Sequence, residues 1–181
     1  MPPKGHAVLS ASSSDRWLHC PPSARLCESY DDKGSDYAAE GTDAHALCEY
    51  KLRKALGIEA EDPTKSLTWF NEEMDDCATG YVAYVLEQIE AAKQVCNDPV
   101  VLIEQCVDFS RWVEGGFGTA DALIIADGTL KICDYKHGLG VLVRAEENPQ
   151  LMCYALGALE LFDSIYDIET VSMTIYQPRR D

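Results

Sequence analysis

The sequence predicts an α/β fold in which helices flank a mixed central sheet and a helical segment comes first. Three observations lead to this class. The first half carries helical periodicity, three strand-like segments follow it, and a further helix separates the third strand from a fourth. The helix before the last strand would cross back over the sheet, which makes the sheet mixed.

The first half is expected to be helical after an unstructured start. Serines at 12–14 are N-cap candidates for a short helix that ends near Cys20, where two prolines break it and begin a second short helix. A polar loop follows at 31–36. The periodicity then predicts a helix over 38–56 closed by Gly57, a loop over 58–66 and a long helix over 67–95.

The second half reads as strands around one helix. Strands are predicted over 100–109, 116–127 and 129–138, and the pair Asp127-Gly128 indicates a tight hairpin between the last two. A helix is predicted over 149–162 and a final strand over 171–178. We expect a single domain made of a helical segment, 1–97, and a sheet-bearing core, 98–181.

Composition restricts the function. The chain of 181 residues has a net charge of −16, which excludes diffuse electrostatic attraction to DNA and by itself favours an acidic interaction module. A local cation would have to offset the carboxylates near any phosphate. With no apolar run of 18 residues and no signal-peptide pattern, we expect a cytoplasmic protein without membrane contact. The eight cysteines contain no CxxC pair and are expected to be reduced thiols.

The predicted hairpin brings two acids together. Asp121 lies six residues before Asp127, and Asp134 lies six after Gly128, so the two should be cross-strand neighbours. Lys136 would point the same way as Asp134. Two close carboxylates favour a hard divalent cation between them, beside which the lysine would act on a phosphate. A cross-strand Asp–Lys surface pair without metal is the alternative.

Three further features have two interpretations each. His45 and Glu49 share a helix face, either as a metal ligand beside its support or a DNA contact, or as an exposed pair. Glu104 lies in an apolar strand, where it would bind metal or face solvent. Gln150 and Tyr154 lie one helical turn apart and would contact a phosphate or base, although core packing also explains the tyrosine.

The order of these residues resembles that of the RecB-like nucleases of the PD-(D/E)XK superfamily, in a phage- and prophage-type branch related to CRISPR-associated exonucleases. The motifs are GTDAH (41–45), GTAD (118–121), DYK (134–136) and QLMCY (150–154), matching GxxxH, GxxD, (D/E)xK and QxxxY. The resemblance covers roughly residues 10–178. It implies a restriction-endonuclease-like core.

The resemblance also implies a role for each matched residue. It implies a Mg²⁺- or Mn²⁺-dependent deoxyribonuclease, exonucleolytic, that serves phage recombination or DNA processing. Its partners would be DNA ends and a phage recombination or single-strand-binding protein. The implied metal ligands are His45, Asp121, Asp134 and the Tyr135 carbonyl, the implied catalytic lysine is Lys136, the implied DNA contacts are Gln150 and Tyr154, and Glu104 and Glu49 are additional candidates.

The cysteines depart from the pattern of longer relatives. Many RecB-like nucleases bind a 4Fe–4S cluster through one cysteine before GxxxH and three near the C-terminus. Cys20 or Cys27 would match the first, with Cys20 favoured by its place in RWLHCPPS, but no cysteine follows Cys153, so the cluster cannot be completed here. An interpretation of Cys20 as a small buried residue is then at least as well supported as a role as a cluster ligand. We therefore expect a shortened nuclease, with a repurposed, non-catalytic protein-binding or regulatory module as the alternative function.

Overall fold

The computed structural model describes residues 7–30 and 34–180. The expected unstructured start therefore lies outside the described residues as far as residue 6, as does the 31–33 part of the polar loop. The α/β class is confirmed: helices flank a four-stranded mixed sheet. After a 3₁₀ turn at Ala11–Ser13, the elements are α1 (Ser14–His19), α2 (Ser23–Glu28), α3 (Asp36–Ala55), α4 (Glu72–Lys93), β1 (Val100–Asp108), β2 (Phe117–Ala126), β3 (Thr129–Tyr135), α5 (Pro149–Tyr166) and β4 (Thr170–Tyr176).

The strands lie side by side in chain order. β1, β2 and β3 form an antiparallel meander, and β4 pairs with β3 in parallel. The predicted hairpin is confirmed because Ala126 pairs with Thr129 across a two-residue turn. Asp127 and Gly128 both have positive φ, 46° and 66°, as the favoured hairpin turn requires. This turn fixes the register of β2 against β3.

Helix α5 joins the two parallel strands. Its first turn is closed by the Asn148 side chain, which accepts a hydrogen bond from the Leu151 amide, and Pro149 occupies the first helical position. The helix continues four residues past the predicted end at Phe162. It ends where Asp167 takes a left-handed conformation, φ 48°.

The predicted start of the long helix at Leu67 is wrong. Helix α4 begins at Glu72, because Asn71 is extended and its side chain accepts a hydrogen bond from the Met74 amide. The amide of Trp69 donates to Asp43 Oδ2 in α3, so this part of the chain is held by another helix. An apolar periodicity that continues upstream of a cap does not extend the helix.

The sheet has one buried cluster on each face. We call the first the α3–α4 core, which contains Leu47, Leu52, Met74, Tyr81, Val85, Ala122, Ile124 and Tyr135. We call the second the α5 core, which contains Ala11, Val107, Phe109, Ala120, Leu123, Ile125, Ile132, Leu151 and Tyr154. The helical segment and the strands thus bury their apolar surfaces together. Among the described residues, no helix combines the length and apolarity needed to cross a bilayer.

Gly157 sets how closely α5 approaches β1. A Cβ added there would lie 2.9 Å from Val107 Cβ and 3.2 Å from backbone atoms of Asp108. Those backbone atoms cannot rotate away as a flexible side chain would. We expect Gly157→Ala to lower the free energy of unfolding by about 1–3 kcal/mol through overpacking.

Urea denaturation followed by circular dichroism measures this difference. Ser164→Ala is the control, because Ser164 is exposed on the same helix and alanine favours helix there. Equal midpoints for wild type and Gly157→Ala would contradict the close approach.

Candidate metal centre

Asp121 and Asp134 lie on neighbouring strands, as the hairpin arithmetic predicts. Ala122 pairs with Cys133, so the next step of the register places the two aspartates opposite each other. The amide of Tyr135 donates to Asp121 Oδ2 over 2.6 Å. Asp121 is 8 % exposed and Asp134 only 2 %, so two like charges share a nearly dry site.

The regular alternation of side chains breaks at this point of the sheet. Ala122 packs in the α3–α4 core, whereas Ala120, two residues away, packs in the α5 core. On the paired strand Glu104 has a positive φ of 51°, and it sits between the pairs Ile103–Ala122 and Gln105–Ala120. Such a conformation is unfavourable for a non-glycine residue and is often found at functional sites. The break lets Glu104 and Asp121 reach a helix on the other face.

That helix contributes His45. One ligand atom each of His45, Glu104 and Asp121 lies within 4.8 Å of the others, the one such group of three found in the described residues. The Nδ1 atom of His45 is 3.1 Å from Asp121 Oδ1. Ligand atoms around one octahedral Mg²⁺ or Mn²⁺ are separated by about 3–4 Å, so this spacing fits a hard divalent ion.

Asp134 borders the same cavity without joining this group of three. Its Oδ2 atom is buried, and the ammonium of Lys136 lies 2.8 Å from it as an ion pair. The same ammonium donates a hydrogen bond to Gln150 Oε1 over 3.0 Å. Burial of a carboxylate is costly even when it is paired, and a cation in the cavity would reduce that cost.

The electrostatics of the site favour binding of a cation. Burial, with the charge of Asp121, raises the pKa of Glu104 to about 7. Burial likewise raises the pKa of Asp134 to about 6, although the ammonium of Lys136 opposes the rise. Burial alone would lower the pKa of His45, but the Asp121 carboxylate outweighs it and holds that pKa above its usual value. The carboxylates are thus crowded, and a positive ion would let them ionise together.

A chain of hydrogen bonds positions the lysine. Gln150 accepts from Lys136 and donates through Nε2 to the Tyr154 hydroxyl over 2.8 Å. Tyr154 itself is buried in the α5 core, so core packing and a polar contact both describe it. Gly118, the glycine of GTAD, makes room for this tyrosine: a Cβ there would lie 2.8 Å from Tyr154 Cε1 and 2.9 Å from Ala11 Cβ.

All these side chains open into one cavity of about 500 Å³. The N-terminal segment from Ala7 to Ser12 forms part of its wall, together with Phe117 and Thr119 of β2. The cavity is lined by His45, Glu104, Asp121, Asp134, Lys136, Gln150 and Tyr154. The fold therefore brings together the residues matched in all four sequence motifs.

Two predicted residues lie elsewhere. The Tyr135 side chain is on the opposite face of the sheet, where its hydroxyl is 2.8 Å from Nδ1 of His137, and a role for its carbonyl stays a prediction. Glu49 accepts a hydrogen bond from Arg53 Nε over 2.8 Å, so its side chain is engaged with a cation of its own helix. It does not serve as the carboxylate that supports His45.

The cysteines form no cluster. All eight are free thiols, as predicted. The alternative interpretation of Cys20 as a small buried residue is wrong, because Cys20 is exposed. Within residues 7–30 and 34–180, no group of three metal-binding side chains includes a cysteine.

Sequence reasoning missed His137. The side chain is only 5 % exposed and lies between the Tyr135 hydroxyl and Glu40, whose Oε1 is 3.4 Å from its Nε2. Glu40 also binds Arg179 over 2.9 Å, so the residue after the catalytic candidate Lys136 is tied to α3 and to the segment after β4. The motif DYKHG did contain this histidine and its partner Tyr135, but Glu40 and Arg179 come from distant parts of the chain.

Glu104 should make the metal-free protein less stable as pH rises. Its pKa is about 7 in the folded chain against an ordinary 4.5, so between these values the folded state holds a proton that the unfolded state has lost. Stability therefore falls across this window and stays low above it. We expect Glu104→Gln to raise the free energy of unfolding by about 2 kcal/mol at pH 8, with no gain below pH 5.

Thermal unfolding with and without Mn²⁺ provides the measurement. Mn²⁺ should raise the Tm of the wild type at pH 8 and leave Glu104→Gln unchanged. Glu49→Gln is the matched control, because Glu49 faces Arg53 and its loss should give no gain in stability. A Glu104→Gln variant that still gains stability from Mn²⁺ would remove Glu104 from the metal site.

Residues 6–181 match the family described as "Protein of unknown function (DUF2800)". The match contains all four motifs and every residue that lines the metal cavity. The chain therefore belongs to the DUF2800 family.

Proposed function

We propose that the protein is a metal-dependent deoxyribonuclease of RecB-like, PD-(D/E)XK type that hydrolyses phosphodiester bonds at DNA ends. The observation that carries the proposal is the convergence of His45, Glu104, Asp121, Asp134 and Lys136 on one cavity. Buried carboxylates beside a lysine match the charge pattern of phosphodiester hydrolysis, in which a divalent ion and a cationic side chain face a phosphate. An isolated surface ion pair would be neither buried nor convergent.

We assign each residue of the site a separate role in metal binding or phosphate binding. His45, Glu104 and Asp121 would hold Mg²⁺ or Mn²⁺, with Asp134 completing the charge balance. The ion, when bound, would supply Lewis-acid charge and a water of lowered pKa. Lys136, fixed by Asp134 and Gln150, would donate to a non-bridging phosphate oxygen and stabilise the charge that develops there.

The net charge of −16 limits how the substrate is held. Because acidic residues outnumber basic ones by 31 to 15, affinity would come from contacts at the site and from the ion, with little general attraction to phosphates. In the cavity, the Gln150 amide contacts the lysine and the Tyr154 hydroxyl contacts Gln150, and we assign both to positioning Lys136 and to the adjoining phosphate.

Replacement of the lysine should separate metal binding from cleavage. We expect Lys136→Ala to lose Mn²⁺-dependent digestion of linear DNA by at least about 100-fold, because charge stabilisation in the transition state is lost. Mn²⁺ binding measured by calorimetry should persist, since the ammonium is not a ligand. Asp121→Asn should lose both properties.

Lys131→Ala is the matched control. Lys131 lies in β3, five residues before Lys136, and its ammonium donates to Gln88 Oε1 away from the cavity, so its loss should leave digestion unchanged. If the wild type binds Mn²⁺ but cuts neither single- nor double-stranded DNA, catalysis is excluded. The protein would then be a nuclease fold that serves as a binding module.

A further inference from the structure

A second cavity lies next to the metal cavity and shares one wall with it. Its volume is about 600 Å³, and Lys136 lines both cavities. The rest of the lining comes from the start of α3, the loop after β3 and the segment after β4. The residues are Tyr37, Glu40, Gly41, His137–Leu139, Gly140, Val141, Val143, Gln177 and Arg179. A ligand that reaches Lys136 from this side would have its next group in the second cavity.

The walls suit a flat, uncharged ligand. Tyr37 and Val141 are 86 % and 83 % exposed, and Leu139 is also exposed, so the cavity offers aromatic and aliphatic surface to solvent. The charged groups of the lining are already neutralised, because Glu40 pairs with Arg179 over 2.9 Å and Arg179 also pairs with Glu73 over 3.0 Å. Among the lining residues, Lys136 is the cation that faces the metal cavity. A second phosphate would find little charge here.

The floor of the cavity is held by one glutamine. Gln177 accepts a hydrogen bond from the Val143 amide over 3.0 Å and donates to the carbonyl oxygens of Gly138 and Val141 over 2.8 and 3.2 Å. These three bonds fix the loop after β3 against the segment after β4. A pre-formed pocket binds its ligand without first ordering a loop.

Gly41 leaves the helix side of the cavity open. It lies inside α3, where glycine destabilises a helix relative to alanine. Contacts explain the helical glycine at 157, but a Cβ added at Gly41 would meet no atom within 4 Å. The fold itself therefore does not require glycine at this position. Close approach of a ligand to the backbone would require it.

Resting on the proposed nuclease function, we infer that the second cavity is a nucleobase pocket that takes the unpaired base of the nucleotide next to the phosphate held at Lys136. The base would stack on Tyr37 and lie against Gly41 and Val141. A base inside a duplex is stacked and paired on its own strand and would have to leave the helix to enter. The preferred substrate class is therefore single-stranded or frayed DNA ends.

Binding of a fluorescently labelled oligothymidylate, measured by anisotropy with Ca²⁺, tests the pocket, and digestion of the same strand with Mn²⁺ tests its consequence. Gly41→Leu, which fills the pocket, should weaken binding at least 10-fold. Tyr37→Ala should weaken it about 10-fold through lost stacking, whereas Tyr37→Phe should bind as the wild type does. Digestion should fall in parallel, with Mn²⁺ binding unchanged.

Ala39→Leu is the matched control, because Ala39 is exposed on the same helix and does not line the cavity. Its affinity should stay within twofold of the wild type. Gly41→Ala provides a second readout: its Tm should rise by about 2–4 °C while its affinity falls. If glycine were required at this position only for folding, the Tm of Gly41→Ala would fall instead.

Each outcome decides the inference. Wild-type affinity in both Gly41→Leu and Tyr37→Ala, or equal affinity of the wild type for a blunt duplex, overturns the base pocket and leaves the nuclease proposal standing. If the wild type neither binds nor digests the strand, both the base pocket and the nuclease proposal are overturned. Because Tyr37 is a surface residue, its variants keep the test valid even where Gly41→Leu fails to fold.

Discussion

Like-charge repulsion between buried carboxylates is the constraint on which the site depends. Glu104, Asp121 and Asp134 line one cavity, and burial raises the pKa of two of them. Such an arrangement opposes folding, and the rigid sheet around it has to hold it in place. The hydrogen bond from the Tyr135 amide to Asp121 and the ion pair between Lys136 and Asp134 offset part of this negative charge. The negative charge that remains would attract a divalent ion into the cavity.

The break in strand alternation makes this arrangement possible. In a regular ladder, Asp121 would face α5 together with Leu123 and Ile125. The ring of His45 would then lie on the opposite face of the sheet from the Asp121 carboxylate. The left-handed conformation of Glu104 interrupts the alternation of side chains between the two faces of the β1–β2 pair at this one position. Ligands from both faces can then meet at one point, in a sheet that is otherwise closed by two apolar cores.

How much the sequence predicts depends on whether a feature is local. The Asp127-Gly128 turn and a count of six residues each way were enough to place Asp121 beside Asp134. Glu104 could not be assigned in the same way, because periodicity assumes a regular strand and cannot show a positive φ. Two partners of His137, Glu40 in α3 and Arg179 after β4, lie about 40 or more residues away, where no pattern of spacing connects them to it.

The wall formed by Ala7–Ser12 has a consequence for synthesis of the protein. These residues precede the sheet in the chain, yet they pack against Tyr154 of α5, which follows β3. The metal cavity is therefore closed by contacts between parts of the described chain that are far apart in sequence. A nascent chain has the acidic strands before it has α5, so the metal cavity can be completed only after α5 has been translated.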